Sequence, residues 1–167
     1  LQELGATVIS YIPHRVKEGH GLNDNAISEF HKQDASVMVT VDCGVSSRHE
    51  VMLANRMGID TIITDHHSLP TSLPDAYAII HHAHGQPNYP YPYLTGVGIA
   101  FKLMEALWVA SGRPQPEHLL ELVALGTLAD VGPLNGENRY MVRKGIDLLN
   151  RTHHVGIKAL IDRAGLN

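Results

Sequence analysis

Two short apolar runs, each ending in acidic residues, constrain this chain most. Ser36-Val-Met-Val-Thr-Val41 runs straight into Asp42-Cys43-Gly44, and Ile59 to Thr64 runs straight into Asp65-His66-His67. Neither run alternates apolar with polar, which is the pattern of a strand covered on only one face. Near-continuous β-branched runs suit strands buried on both faces, as in a parallel sheet sandwiched by helices. Helical patterns lie between and around them. Leu22, Ala26, Ile27 and Phe30 have helical spacing, with Asn23 or Asp24 as the cap. Ser46 to Met57 is a second helical stretch, with Ser46 or Ser47 at its start and Gly58 at its end.

The remaining segments extend the same pattern. Leu1 to Leu4 reads as the last turn of a helix stopped by Gly5, and Ala6 to Ile12 as a strand ended by Pro13. Ala76 to Ile80 is a weaker strand. A helix tail running directly into a strand reads as the middle of a βαβ unit, so sequence upstream is expected. Residues 81 to 93 read as a Pro-, His- and Tyr-rich loop. Four helices follow, at Val97–Ala110, Glu117–Leu128, Arg139–Leu149 and Gly156–Ala164. The expected fold is α/β: an open, mostly parallel, doubly wound sheet with helices on both faces and a helical C-terminal half.

Composition narrows the function classes. Hydrophobic residues make up 44% and charged residues 18% of the 167 residues, enough apolar material for a packed core. No stretch approaches the roughly 20 apolar residues of a membrane helix, and no secretory leader pattern is present. The single cysteine, Cys43, excludes an internal disulfide framework and suggests a reducing compartment. A net charge of −4 argues against holding nucleic acid by bulk charge alone, so a polyanion site would be local or built with metal ions. The 12 histidines make metal chemistry worth testing.

In open α/β sheets, ligands bind outside the carboxyl ends of the strands. Asp42 and Asp65-His66-His67 both belong at that edge. Carboxylates and imidazoles together suit manganese, iron or zinc, and a carboxylate can bridge two ions. Paired ions can activate water and clamp phosphoryl oxygens. The structural alternative is that Asp42 caps the next helix. Cys43 has no activating base nearby in sequence and reads as a packing residue. Tyr89, Tyr91 and Tyr93 suit either base stacking or, preferably, packing of a stiff Pro-rich loop. Gly96 and Gly98 could offer backbone N–H groups to a phosphate or allow a close helix–sheet contact. Arg15 could grip a phosphate or be an exposed charge, Trp108 reads as core, and Arg139 could pair with Glu137 or Asp130 or face substrate.

An ordered set of motifs then narrows the reading. Val41-Asp42-Cys43-Gly44 and Thr64-Asp65-His66-His67 resemble the DHH phosphoesterase superfamily. Several further segments are similar to its RecJ-like branch of single-strand-specific DNA exonucleases. These are Tyr11 to Arg15 with Gly19 to Asn23, Tyr91 to Leu94 with Gly96 to Leu103, Gly126 to Val131, Pro133-Leu134, and Glu137 to Arg139. The resemblance covers residues 1 to about 150 in order, with 151–167 as a helical extension of the same domain.

The resemblance implies metal-dependent 5′-to-3′ hydrolysis of single-stranded DNA with manganese or magnesium, in DNA repair and recombination. It assigns Asp42 as a bridging metal ligand, with His66 and Asp130 as further ligands. His67 would face the scissile phosphate, Asp65 would accept an imidazole N–H, and Arg15, Gly96 and Gly98 would serve substrate. The implied partners are single-stranded DNA, replication or repair proteins and a second domain of the same full-length chain. No membrane partner is implied, and the setting is cytoplasmic. The family's first acidic motif, a strand end with two ligating aspartates, is expected upstream, so the segment itself is expected to be inactive or nearly so. His81-His82-Ala83-His84 replaces the family's usual Asn-Pro turn and reads as a variable surface loop. Two alternatives share parts of this pattern: a DHH phosphodiesterase for short oligoribonucleotides or cyclic dinucleotides, and a non-catalytic replication scaffold.

Overall fold

In this computed structural model, residues 1–85 and 89–166 are described. Three parallel strands form the sheet: β1 (Val37–Val41), β2 (Asp60–Thr64) and β3 (Ala78–Ile80), in the order β1-β2-β3. The register pairs Val41 with Thr64 and Thr64 with Ile80, so the carboxyl ends of all three strands finish level. That alignment is what brings the two acidic strand ends to one edge.

Helices flank this sheet and bury most of β2, while β1 keeps Val37 and Val41 about half exposed, so the expected burial on both faces is met by β2 and not by β1. On one face lie α1 (Asp24–Lys32) and α2 (Arg48–Arg56). Their Ile27 and Ala54 pack with Met38 and Ile59, while Val51 packs with Val45 and Ile63. Asn23 caps α1, its Oδ1 accepting the Ala26 N–H at 2.9 Å. On the other side, α3 (Gly96–Ala110), α4 (Leu120–Ala129) and α5 (Gly136–Leu149) enclose a second core of Leu94, Ile99, Phe101, Leu120, Val123 and Met141. Ile80 packs against this core from the sheet. A last helix, α6 (Val155–Ala164), buries only Ile157. No described helix is long and apolar enough to cross a membrane.

One expected element is absent among the described residues. Ala6 to Ile12 is not a strand: Ile9 is 40%, Tyr11 42% and Ile12 90% exposed, and no described strand pairs with the segment. Its β-branched composition supplies propensity, but a strand also needs a ladder partner and a surface to pack on. The preceding turn does form as expected, a 3-10 turn over Gln2–Leu4 ended by Gly5 at φ 90°. Tyr11 is held locally, its ring edge-on to Phe30 with centroids 5.8 Å apart and its hydroxyl donating to Glu18.

The tyrosine loop packs on the domain. Tyr89 donates to Glu137 at 2.8 Å and Tyr91 to Asn135 Oδ1 at 2.8 Å. Residues 86–88 of that loop lie outside the described residues. Asn138, fully buried, fastens it from α5 by donating to the Tyr93 carbonyl at 2.7 Å. Trp108 is core, at 6% exposure.

Candidate metal centre

The backbone at the end of β1 turns sharply. Asp42 has φ 63°, a left-handed conformation that aspartate tolerates better than most side chains. Its N–H still donates to the Thr64 carbonyl at 2.9 Å, so the ladder continues to the last residue before the turn. Thr40 Oγ1 donates to the Cys43 carbonyl at 2.7 Å, and Thr64 Oγ1 to the Thr40 carbonyl at 2.7 Å. These bonds satisfy the polar groups under the loop and leave the Asp42 side chain facing out, half exposed.

Asp65 ties the two strand ends together. It is 1% exposed, and its carboxylate accepts four hydrogen bonds. Oδ2 takes the Val45 N–H at 3.0 Å from the loop after Asp42. Oδ1 takes the N–H groups of His66 and His67 at 2.8 and 3.2 Å and lies 2.7 Å from His67 Nδ1. Burial pushes the Asp65 carboxyl up, but these donors outweigh it and hold it below its ordinary value. The same contact raises the His67 pKa. The hydrogen bond to Asp65 is the largest cause, burial opposes it, and the carboxylates of Asp65, Asp42 and Asp130 add to it.

His66 is where distant parts of the chain meet. Its Nε2 lies 3.1 Å from Asp42 Oδ1 and 3.7 Å from Asp130 Oδ2. Asp130 comes from the C-terminal end of α4, carried there by a turn in which Val131 also takes a left-handed φ of 55°. Asp42, His66 and His67 each offer a ligand atom within 4.8 Å of the other two. Around an octahedral cation with bonds of about 2.1 Å, adjacent ligand atoms sit about 3 Å apart and opposite ones about 4 Å apart. The donor set could therefore hold a divalent ion.

Gly96, the first residue of α3, is the spacer that admits Asp42. A Cβ built there would lie 2.2 Å from Asp42 Oδ1 and 2.4 Å from its Cγ. Gly96→Ala is therefore expected to displace Asp42 and abolish Mn2+-induced broadening of the His66 ring signals in NMR. Alanine favours helix over glycine, so circular dichroism should show α3 intact. Unchanged broadening would refute the spacer role. The α3 N-terminus has no side-chain cap. Gly98 is buried against Leu94 and Met141.

The remaining candidates separate from this cluster. Arg15 is exposed in the turn after Pro13, and no described contact ties it to Asp42 or His66. Arg139 makes no ion pair with Glu137 or Asp130 among the described residues. Burial, with Asp65 and Asp42 adding, pushes the Cys43 thiol up to about 11, so it stays protonated at neutral pH and is a poor nucleophile. Sequence reasoning misses one participant. His81 is not part of a surface loop: it is 6% exposed and bonds the His67 carbonyl. For Gly96 the sequence leaves a phosphate-facing N–H and a close helix–sheet contact equally open, and the structure shows a close approach, to the Asp42 side chain at the sheet edge. Only the glycine pair before a helix hints at a close approach.

A pH dependence follows from His67. The fold favours the protonated ring, so this stabilisation is complete below about pH 6.5, the ordinary histidine value, and is lost as pH rises through the higher folded pKa. In metal-free buffer the thermal midpoint should fall across that window, and His67→Gln should remove the slope. A variant with the same slope as the unmodified chain would contradict this assignment.

Comparison with known proteins agrees with this geometry. The family model described as "DHH family, N-terminal domain" matches residues 1–127. The single-stranded-DNA-specific exonuclease RecJ of Bacillus subtilis is 44% identical over 165 residues, covering 99% of this chain and 20% of that protein. The Escherichia coli protein of the same name is 39% identical, covering 98% of this chain and 31% of its own length. Among solved structures, an exonuclease RecJ bound to manganese superposes with a TM-score of 0.89 at 35% identity, over 98% of this chain and 42% of that one. RecJ of Thermus thermophilus in complex with Mn2+ gives 0.76 at 33% identity, over 84% and 21%. The chain thus spans between a fifth and a third of the two curated relatives. With the acidic strand ends, the Asp65 hub and the family model all coinciding, the chain belongs to the DHH family.

Proposed function

We propose that residues 1–150 are a DHH-type catalytic domain, extended by helical residues 151–167, of a metal-dependent exonuclease that degrades single-stranded DNA from 5′ to 3′. The observation that carries this reading is the meeting of Asp42, His66 and Asp130 at one corner of the sheet edge. The RecJ relatives support the substrate class. The wider setting is cytoplasmic DNA repair and recombination, with replication or repair proteins and a second domain of the full-length chain as partners.

Manganese or magnesium held at this corner would supply positive charge to the phosphate and acidify a bound water. Asp42, His66 and Asp130 would hold the ions. Asp65 holds His67 by Nδ1, and Nε2 would donate to a phosphate oxygen when the ring is protonated. Asp65 raises the pKa of that ring, which favours the protonated, donating form. Arg15 and the α3 N-terminus at Gly96 and Gly98 would steady the neighbouring phosphates.

The test uses the full-length protein with Mn2+ and two substrates, a long 5′-phosphorylated single strand and a dinucleotide. Faster release of mononucleotides from the long strand is expected. Preference for the dinucleotide would transfer the chain to the small-substrate class, and absence of Mn2+ binding in calorimetry would favour a scaffold.

A further inference from the structure

His81 follows directly on β3 and turns beneath the Asp65–His67 corner, at 6% exposure. Both of its ring nitrogens are engaged by main chain. Nδ1 lies 3.0 Å from the Ala83 N–H, which can only donate, so Nδ1 is the accepting nitrogen. Nε2 lies 2.8 Å from the His67 carbonyl, which can only accept, so Nε2 carries the proton. The partners fix the ring as one neutral tautomer, and no nitrogen remains to bind an ion. The His82 ring stacks on it, with centroids 4.4 Å apart and planes 29° apart.

His67 is then held at three points. Asp65 takes its N–H and its Nδ1, and His81 takes its carbonyl. The one polar atom of His67 left outside these bonds is Nε2. We infer that His81 is a positioning residue for the metal corner: its Nε2–H clamps the His67 carbonyl from below while Asp65 grips the same residue from the side. This deepens the metal-centre reading above and rests on it for its consequence, though not for its geometry. Partners that orient ligating histidines typically change metal affinity by about 10–100-fold when lost.

Two variants separate the hydrogen bond from the bulk of the ring. His81→Phe keeps the aromatic volume and loses the donor. His81→Gln loses the ring and keeps an N–H group at the reach of Nε2. Two NMR readouts apply to the chain as it stands. One is the downfield Nδ1–H proton of His67, sharpened by its bond to Asp65. The other is broadening of the His66 and His67 ring signals during titration with Mn2+ alone, which reports even weak binding.

The Phe variant is expected to retain its thermal midpoint within a few degrees, lose the His67 Nδ1–H signal, and need about tenfold more Mn2+ for equal broadening. The Gln variant should keep both signals near those of the unmodified chain. A folded Phe variant with an unchanged His67 signal would overturn the proposal, as would a folded Gln variant that loses it. If the Phe variant fails to fold, the Gln comparison decides alone. If Mn2+ broadens nothing in the unmodified chain, the metal centre fails, and the Nδ1–H comparison still decides the clamp.

Discussion

Asp42→Asn is expected to lower turnover by the full-length protein at least about a hundredfold, while the thermal midpoint stays within a few degrees. The side chain is half exposed and packs in no core cluster, so the substitution creates no cavity. Asparagine is also at ease at φ 63°, so the backbone turn survives. Alanine there would mix a conformational penalty into the result. What disappears is the negative charge facing His66 and, with it, the carboxylate of the proposed metal ligand. Exonuclease assays paired with scanning calorimetry measure both halves. Near-normal turnover would remove Asp42 from the centre of the mechanism.

Gly145→Ala should have the largest effect on stability. A Cβ there would lie 2.2 Å from the Leu120 carbonyl oxygen and 2.5 Å from the Ala124 Cβ. The first obstacle is backbone, so α4 and α5 must separate rather than one side chain rotate away. Overpacking of this kind costs about 3 kcal/mol, or roughly 6–12 °C in the midpoint of a domain of this size. The gain in helix propensity from alanine returns less than about 1 kcal/mol. Because α4 ends in Asp130, part of the metal corner should loosen as well. Gly156→Ala, with nothing within 4 Å of its added Cβ, is the control. Equal midpoints for the two variants would show that the helices part easily.

The sheet is legible in the sequence because β1 and β2 carry near-continuous apolar, β-branched runs, although only β2 is largely buried and Val37 and Val41 of β1 stay half exposed. The same logic places Asp42 and Asp65 at one edge, since parallel strands in register finish together. Asn23 is legible as a cap because its side-chain acceptor acts within its own turn. Ala6 to Ile12 misleads because strand formation is decided by a pairing partner that composition does not reveal. His81 escapes for a related reason: its role depends on a carbonyl 14 residues away, brought close by the pairing of β2 with β3. Asp130 comes only through resemblance, because nothing in a helix-ending aspartate says which sheet edge it will meet.

Val131 carries a further implication. A β-branched residue at φ 55° and 87% exposure is held in a conformation it resists, next to a proposed ligand. Selection for heat tolerance alone would replace it with glycine, against the usual rule that glycine weakens a fold. Valine at this position would then mark a compromise, in which a small loss of robustness keeps the neighbouring aspartate aimed. Directed evolution of this chain for durability should therefore be watched at position 131, where a hardier variant and a slacker catalyst would arrive together.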